Sequence, residues 1–156
     1  MSDALASCSI RPASVADAEA ISRLVMTQAA DVMSTPDAFV PSWFLDSLRP
    51  PATTQRLRSP SFRYFVAEDA DGLAAVVALR ERTHLYHLFA RTDLQRRGLA
   101  RAIWTHARAA AGVDSFTVNA APNAVTMYRR LGFASSGVEL NVDGLVHVPM
   151  TLAPDC

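Results

Sequence analysis

Lysine is missing from this chain altogether, so all fifteen of its Lys/Arg cations are arginine. With alanine abundant as well, that reads as coding bias rather than function. Fifteen acidic residues cancel them, and a chain with no net charge lacks the broad basic face that nucleic acid or an anionic membrane would require. Cysteine is scarce: Cys8 and Cys156 lie near opposite ends, which excludes a metal-ligand spacing and a disulfide framework. No apolar run approaches the roughly 20 residues of a membrane-spanning helix. No basic segment followed by an apolar one opens the chain, so a cytoplasmic location is expected. Also missing are the Gly-Lys-Ser/Thr of a Walker phosphate loop and the second and third glycines of a dinucleotide fingerprint.

What is present suits one domain over residues 1–156, half of them apolar. Ser9–Arg11 reads as a strand. Ser14, with Asp17 three residues on, starts a helix over Val15–Ala30 with Ala18, Ile21, Leu24 and Val25 on its buried stripe. Five prolines interrupt residues 31–60, where only Pro41–Leu48 has the makings of a helix. Phe62–Ala67, Leu73–Leu79 and His84–Ala90 read as three antiparallel strands, with turns at Asp71-Gly72 and Arg80–Thr83. A helix over Leu99–Ala111 ends at Gly112, Ser115–Asn119 is a strand, and Pro122–Leu131 is a helix closed by Gly132. A last hairpin, Ala134–Leu140 and Leu145–Leu152, turns at Asp143-Gly144. The expected fold class is α/β (α+β): a mixed, mostly antiparallel sheet of six to seven strands with helices on both faces.

Two blocks carry chemistry. In Gln95-Arg96-Arg97-Gly98-Leu99-Ala100-Arg101, a strand gives way to an arginine-rich turn and then a helix. Gly98 and Ala100 let a backbone come close to a ligand, and the first turn of a helix presents unpaired N–H groups with partial positive charge. That arrangement receives a phosphate or pyrophosphate. The second block is Thr117–Phe133, containing Tyr128-Arg129-Arg130-Leu131-Gly132-Phe133.

Together these blocks resemble the GCN5-related N-acetyltransferase (GNAT) family. The first is similar to its acyl-CoA loop, Gln/Arg-x-x-Gly-x-Gly/Ala, and the second to its closing Tyr-x-x-x-Gly-Phe. The opening Ile10-Arg11-Pro12-Ala13 with Asp17 also resembles the family's N-terminal strand and helix. The resemblance implies an acetyl-CoA-dependent N-acetyltransferase acting on a primary amine. Backbone groups of Leu88, Phe89 and Ala90 would pair with the pantetheine arm as an added strand. Gln95 would open the cofactor-binding loop, backbone N–H groups of Arg96, Arg97, Gly98, Leu99, Ala100 and Arg101 would hold the pyrophosphate, and Tyr128 would protonate the departing thiolate. No metal is implied. With no cysteine near either block, direct transfer in a ternary complex is favoured over an acyl-enzyme.

Two departures stand out. The asparagine that many members carry seven residues before the tyrosine is Ala121 here, with Asn119 and Asn123 to either side; Asn123 is the candidate cofactor contact. The glutamate that some members carry early in the fourth strand is replaced by His84, the candidate base, with Glu81 and a water relay as alternatives. The two-residue period of a strand puts His84 and His87 on opposite faces. His106 and His147 read as ordinary surface residues. The acceptor pocket is expected from residues 31–60 and the last hairpin, where Asp37, Asp46 and Glu139 could attract an amine. A homodimer is compatible with the sequence, and a catalytically inactive acyl-CoA-binding sensor of the same fold is the alternative function.

Overall fold

The computed structural model describes residues 8–32, 41–91, 98–142 and 145–153. Gln95, Arg96, Arg97, Asp37, Cys156 and the Asp143-Gly144 turn lie outside the described residues. The chain opens with β1 (Ser9–Pro12), a 3-10 turn (Val15–Asp17) and α1 (Ala18–Val32), followed by α2 (Ser42–Ser47) and α3 (Pro50–Arg58). A meander of β2 (Phe62–Asp69), β3 (Gly72–Arg80) and β4 (His84–Ala90) leads to α4 (Leu99–Ala111) and β5 (Phe116–Ala120). After a 3-10 turn (Pro122–Ala124) come α5 (Val125–Arg130), β6 (Ala134–Ser135), β7 (Leu140–Val142) and β8 (Leu145–Leu152).

The strands run β1-β2-β3-β4-β5-β8-β6 across the sheet, with β7 on β8. All pairings among the described residues are antiparallel except β4 with β5. The mixed, mostly antiparallel sheet is therefore as expected, with eight strands because the segment read as Ala134–Leu140 divides into β6 and β7. At the division, a Cβ on Gly137 would come within 3.2 Å of the Pro149 ring.

Each face of the sheet carries its own core. On one, Phe65, Ala67, Val77, Leu85 and Leu88 pack with Ile103, Trp104 and Ala107 of α4 and with Tyr128 of α5. On the other, Tyr64, Val66, Val76 and Ala78 pack with Ile21, Leu24 and Val25 of α1 and with Leu48. Both faces being covered, Tyr64–Ala67 of β2 are all buried, although their sequence pattern had suggested a half-buried strand.

The proline-rich stretch yields one more helix than expected. Pro50 and Pro51 occupy the first turn of α3, where a fixed φ and a missing N–H cost nothing. Ser22 Oγ and Thr53 Oγ1, 2.8 Å apart and buried, then join α1 to α3. Arg11 ties the N-terminal strand to its neighbours. Its guanidinium donates to both carboxylate oxygens of Asp17 at 2.9 Å and to Glu68 Oε1 at 2.7 Å. No helix among the described residues is long and apolar enough to cross a membrane.

Candidate active site

Strand β4 follows β3 along its whole length, from His84 opposite Arg80 to Ala90 opposite Ala75. It meets β5 only at His84↔Thr117 and Leu85↔Val118. Beyond that point β5 keeps its pairing with β8 as far as Ala120↔Val148, and the sheet opens into a wedge between β4 and β5. Arg91 N–H donates to the Ala74 carbonyl at 2.8 Å. By the alternation of an antiparallel ladder, Phe89 also bonds toward β3, and the main-chain groups of Leu88 and Ala90 turn toward the wedge. An extended ligand entering there meets the main-chain donor and acceptor of Leu88 as it would those of a neighbouring strand. The side chains of Leu88 and Ala90 are buried against α4, and that of Phe89 packs on the opposite face.

A bulge lies at the mouth of the wedge. Ala78 stands opposite His87 while Leu79 stands opposite Leu85, so Tyr86 is an extra residue in β4 and the alternation shifts by one. Leu85 and Leu88 consequently share one core, whereas Tyr86 and Phe89 pack on the other. The expectation that His84 and His87 face opposite ways is thereby corrected. His84 bonds across to the exposed side chain of Thr117, and the His87 ring lies 4.4 Å from Tyr86 and 5.5 Å from Phe89; both histidines look toward the face of α1–α3.

Gly98 caps the N-terminus of α4 at φ 83°, a left-handed conformation with no side chain over the first helical N–H groups. Leu99 is buried, so what it offers a ligand is its main-chain N–H. Ala100 packs against the core, and the Arg101 guanidinium donates to the Arg130 carbonyl at the end of α5. Just before the loop, Arg91 makes a two-pronged pair with Asp69, at 3.1 and 2.7 Å. This clamp on the end of β4 was not anticipated from sequence; only the three-strand meander brings the two side chains together.

Tyr128 is buried on the α4 side in the same core as Leu88, Ala90 and Ala120, edge-on to Phe133 at 5.7 Å. Burial pushes its phenol well above the ordinary range, so it stays protonated at neutral pH. His84 Nδ1 lies 2.8 Å from Thr117 Oγ1. Burial, and then the Arg80 guanidinium, lower its pKa, which keeps the imidazole neutral and able to accept a proton. Asn119 and Asn123 are both exposed, one on β5 and the other in the turn before α5. Asp46 is paired with Arg49 at 3.2 Å, and Glu139 is exposed.

The family model of the acetyltransferase (GNAT) domain matches residues 26–154, from within α1 past the end of β8. The chain belongs to the GNAT acetyltransferase family. Its GNAT fold recurs in a GCN5-related N-acetyltransferase from Rhodopseudomonas palustris, at TM-score 0.74 and 17% identity, covering 93% of this chain and 94% of that one. The PaiA N-acetyltransferase of Thermoplasma acidophilum, solved in complex with coenzyme A, matches at TM-score 0.72 and 14% identity, over 94% and 99% of the two chains. The N152L variant of spermidine N-acetyltransferase SpeG from Vibrio cholerae matches at TM-score 0.63 and 19% identity, over 95% and 94%. No curated protein matches this GNAT chain significantly by sequence.

Proposed function

We propose that this GNAT domain transfers an acetyl group from acetyl-CoA to a primary amine of a small molecule or peptide, by direct attack in a ternary complex. The observation that carries the reading is the wedge between β4 and β5, with the Gly98-capped helix start and the buried Tyr128 on one side of it. The coenzyme A complex of the Thermoplasma relative supports the choice of donor.

In this reading the pyrophosphate rests on main-chain N–H groups from Arg96 to Arg101, and Asn123 meets the cofactor arm. The pantetheine pairs with β4 at Leu88–Ala90. Holding thioester and amine together accounts for a barrier reduction on the order of 7–11 kcal/mol at best. The amine nitrogen attacks the thioester carbonyl, a C–N bond forms and the C–S bond breaks. Tyr128 gives its proton to the departing sulfur and recovers one from solvent, because a phenolate is disfavoured at a buried site. The surplus proton on nitrogen passes to His84. The tautomer suited to that task donates Nδ1–H to Thr117 and leaves Nε2 as the base.

The test is thiol release from acetyl-CoA across a panel of amines, run beside calorimetric titration of acetyl-CoA. Release that depends on an amine supports the transferase. Binding without release from any amine points instead to an acyl-CoA sensor.

A further inference from the structure

Resting on that reading, the surroundings of Tyr86 narrow the acceptor. The helix start at Gly98 and Tyr128 lie on the α4 side of the sheet. An acyl group that has threaded the wedge from there emerges toward α1–α3, where the amine must approach. Tyr86, the bulge residue next to the last β4–β5 pair, marks that exit. Two guanidiniums flank its ring, Arg56 with Cζ at 5.2 Å from the centroid and Arg80 at 5.8 Å.

Arg56 is held by neutral oxygens alone: it donates to the Tyr64 hydroxyl at 2.8 Å, the Ser47 carbonyl at 2.7 Å and the Thr53 hydroxyl at 3.3 Å. Those bonds fix the group without cancelling its charge. Among the described residues neither Arg56 nor Arg80 forms an ion pair, whereas Arg11, Arg49 and Arg91 each do. Next to the same ring, buried His87 leaves Nδ1 without a hydrogen-bond partner among the described residues. Buried nitrogens are seldom left so, which points to a ligand atom or a water as the missing partner.

We infer that the acceptor is an amine carrying its own anionic group, such as a carboxylate, which the Arg56–Tyr86–Arg80 cluster receives while the amine faces the wedge. Two cations, Arg56 held in place and Arg80 exposed beside it, favour an entering anion and repel a polycation. They also ease loss of the proton from the acceptor's ammonium, because a neighbouring positive charge disfavours its charged form. The two histidines feel the same charges: burial lowers both first, and Arg56 then lowers His87 and Arg80 lowers His84 further.

The experiment compares matched acceptors: an amino acid against its own amide, phosphoethanolamine against ethanolamine, and spermidine as a polycation. Each is measured by kcat/KM for thiol release and by thermal shift of the protein saturated with CoA. The inference expects the carboxylate to exceed its amide at least tenfold, and ethanolamine and spermidine to trail as well. A preference for phosphoethanolamine over the amino acid keeps the anion site and reassigns the anion as phosphate. Arg80→Gln, at an exposed position, should cut the preference several-fold with the Kd for acetyl-CoA unchanged; Arg56→Gln, checked for folding by circular dichroism, should abolish it. Amide and acid used equally, or spermidine preferred, overturns the inference and leaves the transferase intact. A thermal shift confined to the anionic amines, with no thiol release from any, keeps the anion site and removes the transferase. Absence of both signals ends both readings.

Discussion

His84 Nδ1 sits 2.8 Å from Thr117 Oγ1, one pair before the parallel pairing of β4 and β5 ends at Leu85 and Val118. One hydrogen bond thus orients a titratable ring at the apex of the wedge. His84→Ala should flatten the acidic limb of the pH–rate profile for kcat/KM. Because the His84 pKa is lowered, that limb in the unaltered protein should have its midpoint below the usual histidine value of about 6.5. A profile unchanged in the variant removes the base assignment. Thr117→Val should keep the limb and lower the rate less than His84→Ala does.

Gly98 adopts φ 83° at the start of α4. A side chain there costs about 1–2 kcal/mol of backbone strain, and Gly98→Glu adds a negative charge where phosphates are to bind. Calorimetry should show acetyl-CoA binding lost in Gly98→Glu and merely weakened in Gly98→Ala. Wild-type affinity in the glutamate variant would falsify the phosphate assignment.

Tyr128→Phe keeps the edge-on packing against Phe133 and removes the proton donor. Turnover should fall on the order of 10²-fold, with the Kd of acetyl-CoA nearly unchanged. Full activity in this variant excludes the acid role.

Burial, with the Arg56 charge added, pushes the His87 pKa down to about 3. In the unfolded chain it titrates near 6.5, so between those values the unfolded state binds the extra proton. Stability is then fully present above pH 6.5 and declines as pH falls, by up to about 1.4 kcal/mol per unit. Asp17 and Asp69, whose pKa values are lowered by their arginine partners, add their own losses only below the ordinary carboxylate range. Urea denaturation at pH 6.5 and 5 therefore isolates the histidines, and His87→Leu should reduce the slope whatever it does to the absolute stability. An equal slope in both proteins contradicts the burial of a neutral imidazole.

The β3–β4 turn places Glu81 and Arg82 at φ 51° and 66°, left-handed values that non-glycine residues adopt at a cost. Arg82 has a compensating task, donating to the Ala111 carbonyl at the end of α4 at 2.8 and 3.3 Å. Glu81→Gly should therefore raise stability by about 1 kcal/mol, while Arg82→Gly should gain less, having lost the helix-end bonds. Thermal unfolding of the pair checks the ranking.

Patterns of period two and 3.6, with glycine and proline as punctuation, determined the order of the elements, and the resemblance of the Gln95–Ala100 and Tyr128–Phe133 blocks pointed to the family. Such signals are local, so Gly98, Gly112 and Gly132 marked their turns and helix ends without reference to the rest of the chain. Proline was ambiguous for the same reason: Pro50 and Pro51 looked like breaks until α1 supplied a surface for α3 to pack on. The tertiary structure alone decided what faces what. One extra residue in β4 reverses the side chains beyond it, turning His84 and His87 to a common face, and no periodicity in seven residues reveals that slip. The Asp69–Arg91 pair exists because sheet neighbours are set by long-range hydrogen bonding, and Arg56 meets Tyr86 because α3 packs on that face of the sheet; a linear pattern encodes neither.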